Sequence, residues 1–259
     1  MCRFAAFAGT KRTLASLLYD PPHSLEHQSY APQRLHRGHV NVDGTGVVWW
    51  PEGGADPLRY VSERPPWSDP NLPLLGRRLE ATTAVAAVRS ATPGIGFGPG
   101  HVQPFLADGV AYAHNGWIDG WRTGVGRDLI DRLPDELHGE LDIANDSKAI
   151  FLHAIALLRG GADPMGALAA SARLVSDLAD ARDQSATLTM CLVTAGRLVA
   201  IRTAVRSQHN TLFWSAAESE VRIASEPLEP DGSWAEVPED HVVDARPDGT
   251  QVVPMDAVS

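Results

Sequence analysis

Cysteine is nearly missing from this chain: 259 residues contain only Cys2 and Cys191. So sparse a count excludes a disulfide framework and points to a reducing compartment. Basic residues are also in deficit. Lys and Arg total 22 against 32 Asp and Glu, a net charge of -10, which argues against nonspecific nucleic-acid binding through phosphate neutralisation. No window approaches the ~18 consecutive apolar residues of a membrane span. The short apolar run after Arg3 meets Lys11 and Arg12 before a signal-peptide core could form. These absences lead us to expect a cytoplasmic protein with neither nucleic-acid nor membrane partners. No internal repeat or low-complexity linker divides the chain, so residues 1–259 are expected to form a single domain.

What is present is ordinary for a soluble enzyme, with 44% apolar and 21% charged residues. CRFAAFAG reads as a buried strand that Gly9 ends. GVVWW (46–50), TTAVAAVRS (82–90) and GVAYAHNG (109–116) read as central strands. The Pro-, His- and Gly-rich stretch from Asp20 to Gly46 lacks period 2 or 3.6 and reads as a long structured loop. Asn145 or Asp146 can cap a helix over DSKAIFLHAIALLRGG, and Asp163-Pro164 opens a second one with Leu168, Ala172, Val175 and Leu178 on one face. Strands return after Thr187, with hairpins around Ala195-Gly196 and Asp248-Gly249. Strands, two helices, then strands predict an α+β domain whose helices cover stacked, mainly antiparallel sheets.

One of the two cysteines directly follows the initiator methionine, a coincidence expected roughly once in 130 such chains. Removal of Met1 would give Cys2 both a thiol and a free α-amine, a nucleophile with its own base. The alternative is a small buried strand residue, and position alone does not choose between them. In HNG, Asn115 and Gly116 can supply an oxyanion with a side-chain amide and a backbone N–H; Asn-Gly is equally a common turn. Arg89 ends an apolar strand, where its guanidinium suits a substrate carboxylate. Asp146 can bind an ammonium or merely cap a helix.

Other motifs carry less. His23 and His27, with His36 and His39 behind, are spaced as if for a metal, but Pro21, Pro22 and Gly38 oppose the helix this would need. GIGFGPG has no GK[ST] after it and fails as a nucleotide loop; it reads as a loop near Arg89. Cys191 reads as core.

MCRF, AAVRSAT (86–92), QPF (103–105), AHNG (113–116), NDS (145–147) and ASEPL (224–228), in this order, resemble the class II glutamine amidotransferase family of N-terminal-nucleophile hydrolases. Within that family, DPPHSLEHQSYAPQR, AAVRSAT and EPDGSWAEVPEDHVVDAR resemble the stand-alone γ-glutamyl hydrolases of ergothioneine biosynthesis. The resemblance implies a four-layer αββα sandwich, Cys2 as nucleophile and Asn115 with Gly116 as oxyanion hole. It implies Arg89 on the glutamyl carboxylate, Asp146 on its ammonium and His114 beside them. The substrate would be a small γ-glutamyl amide, with no cofactor and no metal; a homo-oligomer is left open. A glutaminase feeding ammonia to a separate synthase is the rival activity, disfavoured because no synthase domain follows on this chain, and a non-catalytic binding protein is the rival class. One departure stands out: the loop that often reads DGWG in this family is DGTG here, with Thr45 replacing the indole. The loops at 20–46 and 93–101 are expected to read the leaving group.

Overall fold

Phe4, Ala6 and Ala8 alternate along the first strand with Ala5 and Phe7, and all five are fully buried. A strand apolar on both faces must lie inside a stack. The computed structural model describes residues 2–36, 38, 40–54, 56–91, 96–143 and 145–258. Met1, His39, Thr92 and the start of the GIGFGPG loop fall outside this set.

The first sheet contains β1 (Arg3–Thr13), β2 (Thr45–Trp50), β3 (Leu58–Ser62), β4 (Glu80–Val88), β9 (Phe213–Ala217), β10 (Glu220–Ala224) and β11 (Ala235–Glu236). Its order is β11-β9-β10-β1-β4-β2-β3, which places β1 in the middle. The second contains β5 (Phe105–Ala107), β6 (Val110–Ile118), β7 (Ala186–Thr194), β8 (Arg197–Val205), β12 (His241–Arg246) and β13 (Gly249–Pro254), in the order β13-β12-β8-β7-β6-β5. All pairings are antiparallel.

Three cores define four layers. Between the sheets, Phe4, Ala6 and Ala8 meet Ala111, Ala113 and Cys191, so Cys191 is core as expected. On the far side of the first sheet, Ala5 and Phe7 pack with Leu17, Leu18 and Leu25 of the short helices α1 (Ala15–Leu18) and α2 (Leu25–Tyr30); α3 (Leu72–Gly76) contributes Leu72. The second sheet is covered by α4 (Val125–Ile130), α5 (Asp135–His138), α6 (Asp146–Arg159) and α7 (Pro164–Asp180). The αββα sandwich expected from the resemblance is the observed fold. Asn145 and Asp163 cap the two long helices, accepting from the backbone N–H of Lys148 and Met165.

Two local expectations fail for identifiable reasons. Gly9 does not end β1: it takes φ +122°, where a Cβ would lie 2.0 Å from the Ser219 carbonyl, and the strand continues through a bulge to Thr13. The 20–46 segment contains α2, capped by Ser24. Pro21 and Pro22 precede the cap, so they do not break the helix. Consequently the His23 and His27 rings do meet, with Nδ1 atoms 2.9 Å apart. Among the described residues no group of three or more His, Cys, Asp or Glu side chains is arranged to hold a metal.

The start of β1 is pinned by charge. Arg3 is completely buried and its Nε donates to Glu226 Oε1 at 2.9 Å. Glu226 also accepts from His23 Nε2 and from the backbone N–H groups of Gln33 and Arg34. One carboxylate thus ties the chain end to the 20–46 segment. Burial alone would raise the Glu226 pKa, but His23, Arg3 and the two amides outweigh it and hold the group at about 2 against an ordinary 4.5. A depressed carboxyl stabilises the fold fully above its unfolded value and loses that contribution as pH falls toward the folded one. Glu226→Gln is therefore expected to cost about 3 kcal/mol at pH 7, with the gap to wild type closing between pH 4.5 and 2. Denaturant melts across that range test this; a gap independent of pH would remove Glu226 from the acid response.

Candidate active site

Strand register brings the predicted residues together. Arg3 pairs with Val88, so Cys2, one residue earlier, lies beside the end of β4 and its continuation Arg89-Ser90. The Cys2 thiol approaches the Ser90 carbonyl at 3.9 Å. Across the gap, Phe151 stacks on Tyr112 with centroids 5.3 Å apart. This holds the first turn of α6 over His114. A single narrow cavity is lined by Cys2, Arg89, His114, Gly116 and Asp146, with Ser90, His101, Gln103, Asn145 and Ser147.

The dipeptide Asn115-Gly116 is not a turn. β6 runs through it to Ile118, and Gly116 pairs with Leu188 of β7. Glycine is required there by packing, since a Cβ would lie 1.8 Å from the Thr187 carbonyl and 2.2 Å from His114 Nε2. The Asn115 side chain is fully buried behind Cys2. Oriented to satisfy both ends, its Nδ2 donates to the Cys2 carbonyl at 2.7 Å and its Oδ1 accepts from Arg3 Nη1 at 3.0 Å.

Arg89 is buried at 4% exposure. Its Nη2 donates to the Gly96 carbonyl at 2.7 Å and its guanidinium lies over the Phe97 ring. The glycine-rich loop does therefore adjoin Arg89. Its Nη1 has no hydrogen-bond partner among the described residues, which is costly for a buried cationic donor unless an anion arrives. Asp146 occupies the first turn of α6, where the helix dipole favours a carboxylate. Asp146 Oδ1 accepts from the Ser147 N–H at 2.7 Å.

His114 is committed within the protein. Nε2 faces the Thr187 carbonyl at 3.2 Å and must donate, so Nδ1 accepts from Ser147 Oγ at 2.8 Å. Burial lowers its pKa, against the opposing pull of Asp146. The ring is neutral and walls the cavity. His101, which sequence reasoning missed, has Nδ1 3.3 Å from Asn145 Nδ2; burial, then the Arg89 charge, lowers its pKa. Gln103 accepts the backbone N–H of His114 at 2.5 Å, fixing β6 where it passes the cavity. The QPF and NDS motifs contained Gln103, Asn145 and Ser147, but nothing in their residue types separated them from loop and cap residues. Thr45 is fully buried at the start of β2, and its Oγ1 donates to the Arg64 carbonyl at 2.8 Å. It lies in the sheet and not on the cavity wall.

A second cavity, about 230 Å³, opens where β6 passes Gly116. It is lined by Trp117, Thr187, His36, Gln208 and Asn210 among others, and Asn210 Nδ2 donates to the Asn115 backbone carbonyl at 2.9 Å.

No family model matches the sequence. Curated relatives do. The chain is 33% identical over 255 residues to the gamma-glutamyl-hercynylcysteine sulfoxide hydrolase of Mycolicibacterium smegmatis, covering 98% of this chain and 100% of the relative. It is 30% identical to the protein of the same name from Mycobacterium tuberculosis, covering 99% and 97%. Among solved structures, a glutamine aminotransferase class-II domain protein from Silicibacter pomeroyi superposes with a TM-score of 0.72 at 21% identity, over 98% of this chain and 99% of that one. The glutamine phosphoribosylpyrophosphate amidotransferase of B. subtilis matches with a TM-score of 0.66 at 16% identity, over 98% of this chain and 49% of that one. With the sandwich architecture and near full-length identity to curated hydrolases, the chain belongs to the gamma-glutamyl-hercynylcysteine sulfoxide hydrolase family and has the class II glutamine amidotransferase fold.

Proposed function

We propose that this hydrolase cleaves a γ-glutamyl amide through a thioester on Cys2, with γ-glutamyl-hercynylcysteine sulfoxide or a close relative as substrate. The observation that carries the reading is the convergence, in one cavity, of the thiol, the partnerless Arg89 Nη1 and the Asp146 carboxylate. An α-amino acid head carries one carboxylate and one ammonium. A buried cation with a vacant donor and a carboxylate at a helix N-terminus complement both charges.

After removal of Met1, the Cys2 α-amine takes the thiol proton as Sγ attacks the γ-carbonyl carbon. Charge collects on the carbonyl oxygen, where the Gly116 N–H and the Asn115 amide supply donors. Collapse breaks the C–N bond, and the α-ammonium returns its proton to the leaving nitrogen. Water then attacks the thioester, giving its proton to the amine, and free glutamate leaves as the thiol is restored. Neutral His114 takes no proton in this scheme; it holds Ser147 and backs Gly116.

The leaving amine is assigned to the cavity beyond Gly116. Trp117 lines this cavity and gives its wall apolar bulk, while Asn210 and Gln208 offer amides to polar groups. His36 brings the 20–46 segment into the same wall.

Cys2→Ala should reduce glutamate release from a γ-glutamyl conjugate by at least 10³-fold, and intact mass of the wild type should show Met1 absent. Undiminished release by the variant would refute the thioester route. Trp117→Ala should lower kcat/KM for a bulky γ-glutamyl conjugate about tenfold or more while leaving glutamine within about threefold. Equal losses on both substrates would move the leaving group elsewhere.

A further inference from the structure

We propose that Arg3 is a positioning residue that sets which end of the Asn115 amide faces the nucleophile. The proposal rests on the reading of Cys2 and Asn115 given above and adds a residue that reading does not use.

The two ends of an asparagine amide are nearly identical in shape and opposite in chemistry: one donates and the other accepts. Rotating the group by half a turn would leave packing unchanged and present a lone pair to a developing oxyanion. Something must therefore choose the orientation. Arg3 can do so because a guanidinium has donors only and stays charged. Its Nη1 lies 3.1 Å from the Cys2 carbonyl and 3.0 Å from the Asn115 oxygen in the orientation that places Nδ2 on that same carbonyl at 2.7 Å. Reversal would set amide N–H against guanidinium N–H, and oxygen against oxygen.

A competing donor is present. Asn210 Nδ2 lies 3.3 Å from the amide end that faces the Cys2 carbonyl, and bonds to it only when that end is the oxygen. Two contacts of 2.7 and 3.0 Å outweigh one of 3.3 Å. Loss of Arg3 removes one of the two and leaves Asn210 pulling the other way. Arg3 is itself aimed by Glu226, whose bond to Nε fixes the plane of the guanidinium. Lysine at this position would keep the charge opposite Glu226 and lose the fork that reaches Glu226, Cys2 and Asn115 together.

The test compares Arg3→Lys, Asn115→Ala and the double variant in the full-length enzyme, using a γ-glutamyl conjugate and, separately, iodoacetamide. Displacement of iodide by a thiolate forms no oxyanion, so alkylation of Cys2 reports the nucleophile alone. Removing an oxyanion donor costs about 10²–10³ in kcat. Arg3→Lys is expected to lose about tenfold or more in kcat, with KM and the alkylation rate each within about threefold of wild type. The double variant is expected to match Asn115→Ala, because Arg3 acts through Asn115. Should Arg3→Lys fail to fold, Arg3→Met with Glu226→Gln removes the pair without stranding a buried charge and is read by the same criteria. A normal kcat, multiplied losses in the double variant, or alkylation slowed in step with kcat each overturns the assignment. An active Cys2→Ala enzyme would instead overturn the underlying mechanism, so the two failures are distinguishable.

Discussion

A chain end is the hardest part of a protein to hold still, and here the candidate nucleophile sits on one. The buried Arg3–Glu226 pair is the constraint that resolves this. β1 is hydrogen-bonded on both sides, yet strand pairing alone leaves its first residue free to fray. Arg3 adds a charged anchor one residue in, and its Nη1 reaches back to the Cys2 carbonyl. Burying two charges is expensive unless every lone pair is used. Glu226 meets that condition by taking Arg3, His23 and two backbone amides, whereas Arg3 keeps one buried Nη2 with no partner among the described residues. The same bonds fasten the 20–46 segment to the terminus, so Cys2 and the segment that brings His36 to the neighbouring cavity are located by one carboxylate.

The cavity then separates two charges instead of pairing them. Arg89 and Asp146 line the same space, but Arg89 is bonded to a neutral carbonyl and Asp146 to the amide of its own helix turn. Each keeps its charge for something else. The histidines between them do not interfere: burial depresses both His101 and His114, so neither adds a positive charge that would compete with Arg89 for a carboxylate. A zwitterionic amino acid head fits this pattern better than a simple anion or cation would.

Much of this was legible in the sequence where chemistry is carried by residue type. A cysteine behind the initiator methionine, a lone arginine at an apolar strand end and an Asn-Gly after a buried strand are each unusual enough to notice. Arg3 enters the sequence reading only as the charge ahead of a short apolar run; its partner lies 223 residues away, a distance that no local pattern spans. His101, Gln103 and Ser147 escaped because polar residues in loops and first turns are common. Helix α2 escaped because six residues show no period, and β1 outran its predicted end because a glycine that permits a bulge looks the same as one that closes a strand.

The turn reading of Asn-Gly is excluded by geometry. A turn would have placed both residues on a flexible tip, whereas β6 carries them in its interior and continues to Trp117. One strand therefore bears, in consecutive positions, the wall against Ser147, the two oxyanion candidates and the first residue of the neighbouring cavity. Adjacent residues on a strand face opposite sides of the sheet. Asn115 thus faces Cys2 while His114 faces the helix that carries Asp146. The main chain, paired with β7 from Ala111 through Ile118, keeps those directions fixed. Groups that must act within a few tenths of an ångström of one another gain from sharing one rigid element. The pleat of β6 supplies the geometry that a loop could not hold.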